Sequence, residues 1–233
     1  MESWDRIFQS AAEELGCPVT ADRLRLFDLY RRELLFWNKK MSLLSLKTPE
    51  DLPVKHFADS VALLPVMKKR LVHAAPVVLD VGSGAGFPGI PLKIMDHILQ
   101  VTFIDSSRKK TSFLKEALRK LNLTGTNVIN SRVEDVMKAG ELRGVFDCVV
   151  SRAAFTLHTL LVIGDHFLAP GGILAAMKGS PPVQELDAAL NTTNSLSVRH
   201  SDTLHFQLPR EAGTRSILLF TKTTSKQQSR QKG

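Results

Sequence analysis

A short apolar run ending in a glycine-rich turn constrains this chain more than any other feature. Val78-Leu79-Asp80-Val81-Gly82-Ser83-Gly84-Ala85-Gly86-Phe87-Pro88-Gly89 reads as a strand, a tight turn and the start of a helix. Dinucleotide-binding folds use this layout to aim backbone N–H groups and a helix N-terminus at a pyrophosphate. Their fingerprint is GxGxxG. Here the spacing is GxGxG, and Phe87 stands where the last glycine would be.

The flanking segments extend the turn into a fold. Val101–Asp105, Asn127–Asn130, Phe146–Val150 and Ile173–Met177 read as further strands, with helix-length segments between most of them. Residues 107–122 place Phe113, Leu114, Ala117, Leu118 and Leu121 at helical spacing. Such alternation predicts an α/β fold: a doubly wound, Rossmann-like, largely parallel sheet with helices on both faces. Residues 197–208 and 214–222 have no helix between them and are expected to close the sheet as an antiparallel pair.

The chain before Pro76 is helical in pattern. Trp4, Ile7, Phe8, Ala11, Ala12 and Leu15 share one helical face, and Leu24, Phe27, Tyr30, Leu34 and Trp37 share another, opened by Thr20. Thr48-Pro49-Glu50-Asp51 reads as a helix start, with a short helix to about Ala58 and another over roughly 60–72. These spans predict an N-terminal helical cap over 1–75, a ligand-binding domain over 76–222 and a basic, disordered tail over 223–233.

Asp80 narrows the choice of ligand. It lies two residues before the first glycine, where a carboxylate repels a pyrophosphate. It suits a phosphate-free ligand with an ammonium group, such as the methionine end of S-adenosylmethionine, whose carboxylate can meet the positive helix end. Asp105 ends the next strand, where an acid can accept from both ribose hydroxyls. Both cofactor classes use such an acid, so it supports an adenosine without separating them. It can also cap the helix at Ser106-Ser107, which does not exclude the first reading. The loop Ser131-Arg132-Val133-Glu134-Asp135 is expected at the same edge, where backbone and acid can read adenine; Glu134 can equally be a solvated loop acid.

Charge and cysteine content bound the setting. The formal net charge is +8, and residues 222–233 carry four basic residues and no acid. The other half of the excess permits a polyanionic partner without requiring one. Cys17 and Cys148 match no metal or redox spacing, so no metal is expected and a reducing cytoplasm is. No apolar run reaches the roughly 18 residues of a membrane span, and the N-terminus does not read as a secretory signal.

The chain resembles the bacterial 16S ribosomal RNA guanine-N7 methyltransferases, also called the glucose-inhibited division protein B family. The likeness runs from about Leu24 to Gly179. It includes Leu35-Phe36-Trp37-Asn38, Ser42-Leu43-Leu44-Ser45 and His56-Phe57-Ala58-Asp59-Ser60. The most specific stretch is Gly86-Phe87-Pro88-Gly89-Ile90-Pro91-Leu92. Asp105-Ser106, Lys109 to Phe113-Leu114, Ser131 to Glu134, Ser151-Arg152-Ala153 and Lys178-Gly179 follow. The resemblance implies a class I methyltransferase sheet, with cofactor contacts at Gly82, Phe87, Val133, Glu134 and Arg152. Asp80, Gly84, Gly86, Asp105 and Ser106 complete the expected cofactor set. It also implies 16S ribosomal RNA, or the small ribosomal subunit, as partner. Family members usually carry Tyr-Asn-Leu-Thr after the Trp-Asn, where this chain has Met41-Ser42-Leu43-Leu44 in that stretch.

The residues agree with attack by a ring nitrogen. Methylation at pyrimidine C5 commonly needs a cysteine that adds to the ring, and neither cysteine is well placed. An exocyclic amine is often served by an Asn/Asp-Pro-Pro-aromatic loop, where this chain has Ser151-Arg152-Ala153-Ala154-Phe155. Guanine N7 carries a lone pair and needs no general base. Arg152 can position guanine O6, a phosphate or the cofactor, or serve only in a structural salt bridge. Lys39, Lys40, Lys55, Arg108, Lys109, Lys110 and Lys178 are candidates for RNA phosphates, though each alone also fits a solvated face. Trp37 fits a core position better than a base-stacking one, and His56 is expected to orient a neighbour such as Asp59. The rival readings are a methyltransferase for another RNA, a protein or a small molecule, a non-catalytic ribosome-binding protein, and an NAD-dependent oxidoreductase.

Overall fold

The computed structural model describes residues 3–46, 51–179 and 183–223. Helices α1 (Trp4–Glu14) and α2 (Ala21–Met41) come first, and the Thr20 side chain caps α2 by accepting from Arg23 N. The helix expected up to Ala58 is a π-helix, Leu52–Ala58, running directly into α3 (Asp59–Val61). π-Turns are rare and concentrate at functional sites. The proposed helix start at 48–50 lies outside the described residues, as does the tail beyond Thr223. Helix α4 (Leu64–Arg70) precedes the sheet.

Among the described residues the sheet has seven strands; helices separate the first six and none separates the last two, as the sequence predicts. In chain order they are β1 (Val77–Val81), α5 (Gly89–Met95), β2 (Gln100–Asp105), α6 (Arg108–Lys120), β3 (Thr126–Asn130), α7 (Val133–Ala139), β4 (Phe146–Arg152), α8 (Leu157–Phe167), β5 (Leu168–Lys178), α9 (Val183–Thr192), β6 (Val198–Gln207) and β7 (Thr214–Lys222). The sheet order is β3-β2-β1-β4-β5-β7-β6. Strands β1 to β5 pair in parallel, while β7 is antiparallel to both β5 and β6. The expected antiparallel closing pair is therefore present, with the later strand inserted next to β5.

Strand periodicity divides the core. Val78, Phe103, Cys148 and Val150 face one side, where α5, α6 and the N-terminal helices pack in a single apolar cluster. Leu79, Val81, Ile104 and Val149 face the other side, against α7, α8 and α9. The order reverses between β1 and β4, which pair directly. In such sheets the ligand crevice lies outside the carboxyl ends of the strands at that reversal. Asp80, Asp105 and Arg152 all lie at those ends.

Candidate active site

Two cavities flank the carboxyl end of β4. The first, about 420 Å³, is lined by Gly82, Ile104 to Ser107, Lys110, Ser131 to Glu134, Ala154 and Phe155. Five residues of the expected cofactor set meet here: Gly82, Asp105, Ser106, Val133 and Glu134. Ile104 and Val133 give an apolar wall for a planar base, with Asp105 and Glu134 as polar edges. Val133 and Glu134 are the first residues of α7, not loop, so the cavity looks onto a helix start.

Asp105 organises this cavity. Its Oδ2 accepts from Gly84 N at 2.9 Å, and its Oδ1 accepts from Ser107 N at 2.8 Å. The capping reading is thus realised, yet it leaves the other open. A carboxylate offers about four acceptor sites, so two backbone donors leave capacity for ribose hydroxyls. Gly82 has φ +66°, and a Cβ there would come within 2.4 Å of the Ala154 Cβ. Only glycine lets the turn and the β4–α8 loop approach this closely.

Asp80 departs from the sequence expectation. It does not lie open at the mouth of the turn but is fully buried. The reason is strand period: like Val78, it points to the face covered by α5 and the N-terminal helices. Its Oδ2 accepts from Gly89 N at 2.9 Å, fixing the start of α5. Its Oδ1 is buried and has no hydrogen-bond partner among the described residues. Burial pushes its pKa up to about 7, against the opposing effects of the Gly89 N–H and the Arg152 charge. Gly89 is obligatory, because a Cβ would meet Phe103 at 2.4 Å and Asp80 Oδ2 at 2.6 Å.

Phe87 also departs. Its ring turns away from the first cavity into an aromatic cluster, 5.6 Å from Tyr30, 5.2 Å from His56 and 6.0 Å from Phe57 between centroids. Gly86 is buried at the foot of the same turn. Both shape the turn from below, and neither lines the first cavity. Tyr30 donates to the Ala85 carbonyl at 2.5 Å, holding the turn against α2. Helical spacing placed Tyr30 in the core but did not identify this contact. The available signal is that Tyr30 is the sole tyrosine beside twelve phenylalanines, and a buried hydroxyl needs an acceptor.

The second cavity, about 430 Å³, lies on the other side of β4. Its walls include Lys55, His56, Asp59, Arg152, Ala153, Met177, Lys178, Phe206 and Arg215. Arg152 is its fulcrum. Nη1 donates to the Lys55 carbonyl at 3.0 Å and lies 3.3 Å from Asp59 Oδ2; Nη2 lies 3.0 Å from His56 Nδ1. The guanidinium also sits 4.8 Å above the Phe87 ring. Arg152 thus forms the structural salt bridge, one of the roles open to it in the sequence, and joins β4 to the π-helix and α3. His56 accordingly orients Arg152 rather than Asp59. Burial, aided by the Arg152 charge, lowers its pKa to about 3, so its imidazole is neutral and accepts.

The basic candidates divide into free and engaged groups. Lys39, Arg108 and Lys109 are exposed. Lys55 pairs with Asp51 at 2.7 Å. Lys178 is not a free phosphate-binding lysine: its ammonium donates to the Phe155 carbonyl at 3.1 Å and pairs with Glu185 at 2.9 Å. Trp37 packs edge-on to Phe113, the core role that its spacing indicates. Arg215, absent from the sequence-derived set, lies with Nε 3.3 Å from the same Asp59 Oδ2. No local pattern around Arg215 signals a contact so distant in sequence. Among the described residues, no group of three or more His, Cys, Asp or Glu is placed to hold a metal, and no helix is long and apolar enough to cross a membrane.

A parallel sheet with a terminal antiparallel strand and a glycine turn tied to an acid on β2 defines a class I S-adenosylmethionine-dependent methyltransferase. Solved structures share the fold. A SAM-dependent methyltransferase from Aquifex aeolicus superposes with a TM-score of 0.55 at 20% identity, covering 78% of this chain and 97% of that one. A putative RNA methyltransferase from Pyrococcus horikoshii gives 0.54 at 16% identity, covering 86% and 98%. The profile of the family described as rRNA small subunit methyltransferase G matches residues 23–214, and the chain belongs to that family. It is 38% identical to the ribosomal RNA small subunit methyltransferase G of Syntrophus aciditrophicus, over 96% of this chain and 91% of the relative. It is 37% identical to that of Desulfitobacterium hafniense, over 91% and 87%.

Proposed function

We propose that the protein transfers a methyl group from S-adenosylmethionine to N7 of a guanosine in 16S ribosomal RNA. Family membership, together with an intact glycine turn joined to Asp105 through Gly84 N, carries the reading. The first cavity fits the cofactor: an apolar slot between Ile104 and Val133, a carboxylate with spare acceptor capacity, and a glycine turn on its floor. Asp105, Ser106, Val133 and Glu134 would hold the adenosine, and the turn at Gly82 would hold the remainder. The bound cofactor supplies an electrophilic methyl group on sulfur.

The protein's task is then to place a nucleophile in line with that methyl and exclude competing ones. Cysteine chemistry does not serve. Cys148 is fully buried in β4, and burial pushes its thiol well above the usual range; burial pushes Cys17 up to about 11. Neither supplies a thiolate for addition to a pyrimidine. His56 is neutral but its Nδ1 is tied to Arg152. The β4–α8 loop offers Ala153, Ala154 and Phe155, none of which takes a proton. A nucleophile with a ready lone pair, such as guanine N7, suits this environment. The test is to incubate 16S ribosomal RNA, small subunits and whole ribosomes with methyl-labelled cofactor and map the modified nucleotide. Label in a protein or small molecule, and none in RNA, would overturn the reading.

A further inference from the structure

The second cavity has walls of a different character from the first. We propose that it takes the acceptor nucleotide, turned out of its RNA stack, and that the cross-strand pair Phe206 and Arg215 holds it there. This rests on the methyl-transfer reading above and locates its substrate.

The topology supplies the first argument. Ala153 lines the second cavity and Ala154 the first. A methyl group passing between ligands in the two cavities crosses at this point. Ala153 has φ +55°, a left-handed backbone that a non-glycine residue adopts against strain. Such strain concentrates at functional sites.

Chemistry supplies the second argument. Phe206 on β6 lies opposite Arg215 on β7, and both face the cavity. Phe206 is only partly buried, so its ring offers a stacking surface to an unstacked base. Charge supplies the third. Lys55 is matched by Asp51 and Lys178 by Glu185, while Arg152 and Arg215 share Asp59 alone. His56 is neutral. The cavity therefore carries a surplus positive charge, suited to a phosphate or to guanine O6. Arg215 is held for that contact by Asp59 on Nε and by the Thr214 carbonyl, 2.9 Å from Nη1. At about 430 Å³ the space falls in the range of about 300–1,000 Å³ usual for small-ligand sites.

The test compares Phe206→Leu, Phe206→Trp and Arg215→Gln with wild type in the full chain, using small subunits as substrate. Phe206→Leu, which keeps apolar bulk but removes the stacking face, should lower kcat/KM for RNA roughly 5- to 150-fold. Phe206→Trp, which restores a stacking face, should lose less of kcat/KM than Phe206→Leu does. Arg215→Gln should lower it about 10- to 150-fold. Affinity for S-adenosylhomocysteine by calorimetry should be unchanged in all three, which separates acceptor binding from a general loss of fold. 6-Thioguanosine at the methylated position should photocross-link to peptides containing Phe206 or Arg215. The proposal is overturned if Phe206→Leu and Arg215→Gln match wild type, if cofactor affinity falls with the rate, or if the cross-link lands on another face. A wild-type protein that methylates no RNA would instead overturn the functional reading beneath it.

Discussion

Arg152 Nη1 lies 3.3 Å from Asp59 Oδ2, so an arginine at the end of β4 meets a carboxylate at the start of α3 across the lip of the second cavity. Asp59 also receives Arg215, while its Oδ1 stays buried without a partner among the described residues. Removing one member of so buried a group leaves the others uncompensated. Asp59→Ala should therefore destabilise the fold by about 3–5 kcal/mol. Urea unfolding followed by circular dichroism measures this, and a loss below about 1 kcal/mol would show that the arginines find other partners. Arg152→Lys keeps the charge but loses the planar fork that reaches a carbonyl, a carboxylate and an imidazole together. It should lower methyl transfer at least tenfold on this argument. Wild-type turnover would sink the positioning role.

Tyr30 and Asp105 hold the glycine turn from opposite sides and should separate under mutation. Tyr30→Phe leaves the Ala85 carbonyl buried without its donor, at a cost of about 1–3 kcal/mol in stability. Asp105→Ala removes the acceptor for Gly84 N and Ser107 N as well as the proposed ribose contacts. Loss of a hydrogen bond to a charged group costs about 1.5–3 kcal/mol, so S-adenosylmethionine should bind roughly 10- to 150-fold more weakly. Calorimetry on the folded variant decides it, and wild-type affinity there would move the cofactor elsewhere.

Much of this was legible in the sequence, for identifiable reasons. Strand–turn–helix punctuation around Gly82–Gly89 and the alternation after Pro76 report local backbone preferences and period, and both survive folding. The antiparallel end pair followed from the missing helix between residues 208 and 214. Side-chain direction was less legible. The position of Asp80 before the glycines is readable, but its surroundings are not, because its facing depends on which sheet side the N-terminal helices cover. Lys178 looked free because its neutraliser, Glu185, lies on α9. Arg215 left no local trace, since its contact with Asp59 spans nearly the whole chain. Even the π-helix evaded a reading based on a period of 3.6.

Asp80 and His56 should give opposing pH dependences. A buried carboxyl raised from 3.8 to about 7 holds its proton in the folded state when the unfolded chain has lost it. Its contribution is fully present below pH 4 and is lost as pH rises toward 7, on the order of 4 kcal/mol. His56 is lowered from 6.5 to about 3, so its contribution grows as pH rises from 3 to 6.5. Between pH 4 and 6.5 the two slopes partly cancel. Asp80→Asn should expose the histidine slope, with stability rising through that window. His56→Gln should expose the aspartate slope, with stability falling. Chemical denaturation at half-unit steps reads both, and parallel profiles for wild type and both variants would refute the assignments.

The pH dependence of the chemical step bears on the nucleophile itself. Guanine N7 is unprotonated at neutral pH, so its attack needs placement and electrostatic support without proton removal. The product base carries a positive charge, which an uncompensated cation alongside would oppose. Asp59 supplies the balancing charge at Arg152, and the cavity's surplus charge at Arg215 then falls on a phosphate or guanine O6 and not on N7. Burial pushes Asp80 up to about 7, but it lies beneath the turn, where its charge bears on cofactor affinity more than on the acceptor. Under single-turnover conditions with both substrates saturating, effects on affinity drop out and the rate should be nearly flat over about pH 6.5–9. A slow conformational step can also flatten a profile, so Arg152→Lys belongs in the same series: there the chemical step is slowed and should limit the rate. If that variant's rate instead climbs tenfold per pH unit to a plateau, a group is losing a proton before transfer. The acceptor would then be an exocyclic amine or a hydroxyl, and the N7 assignment would have to be given up.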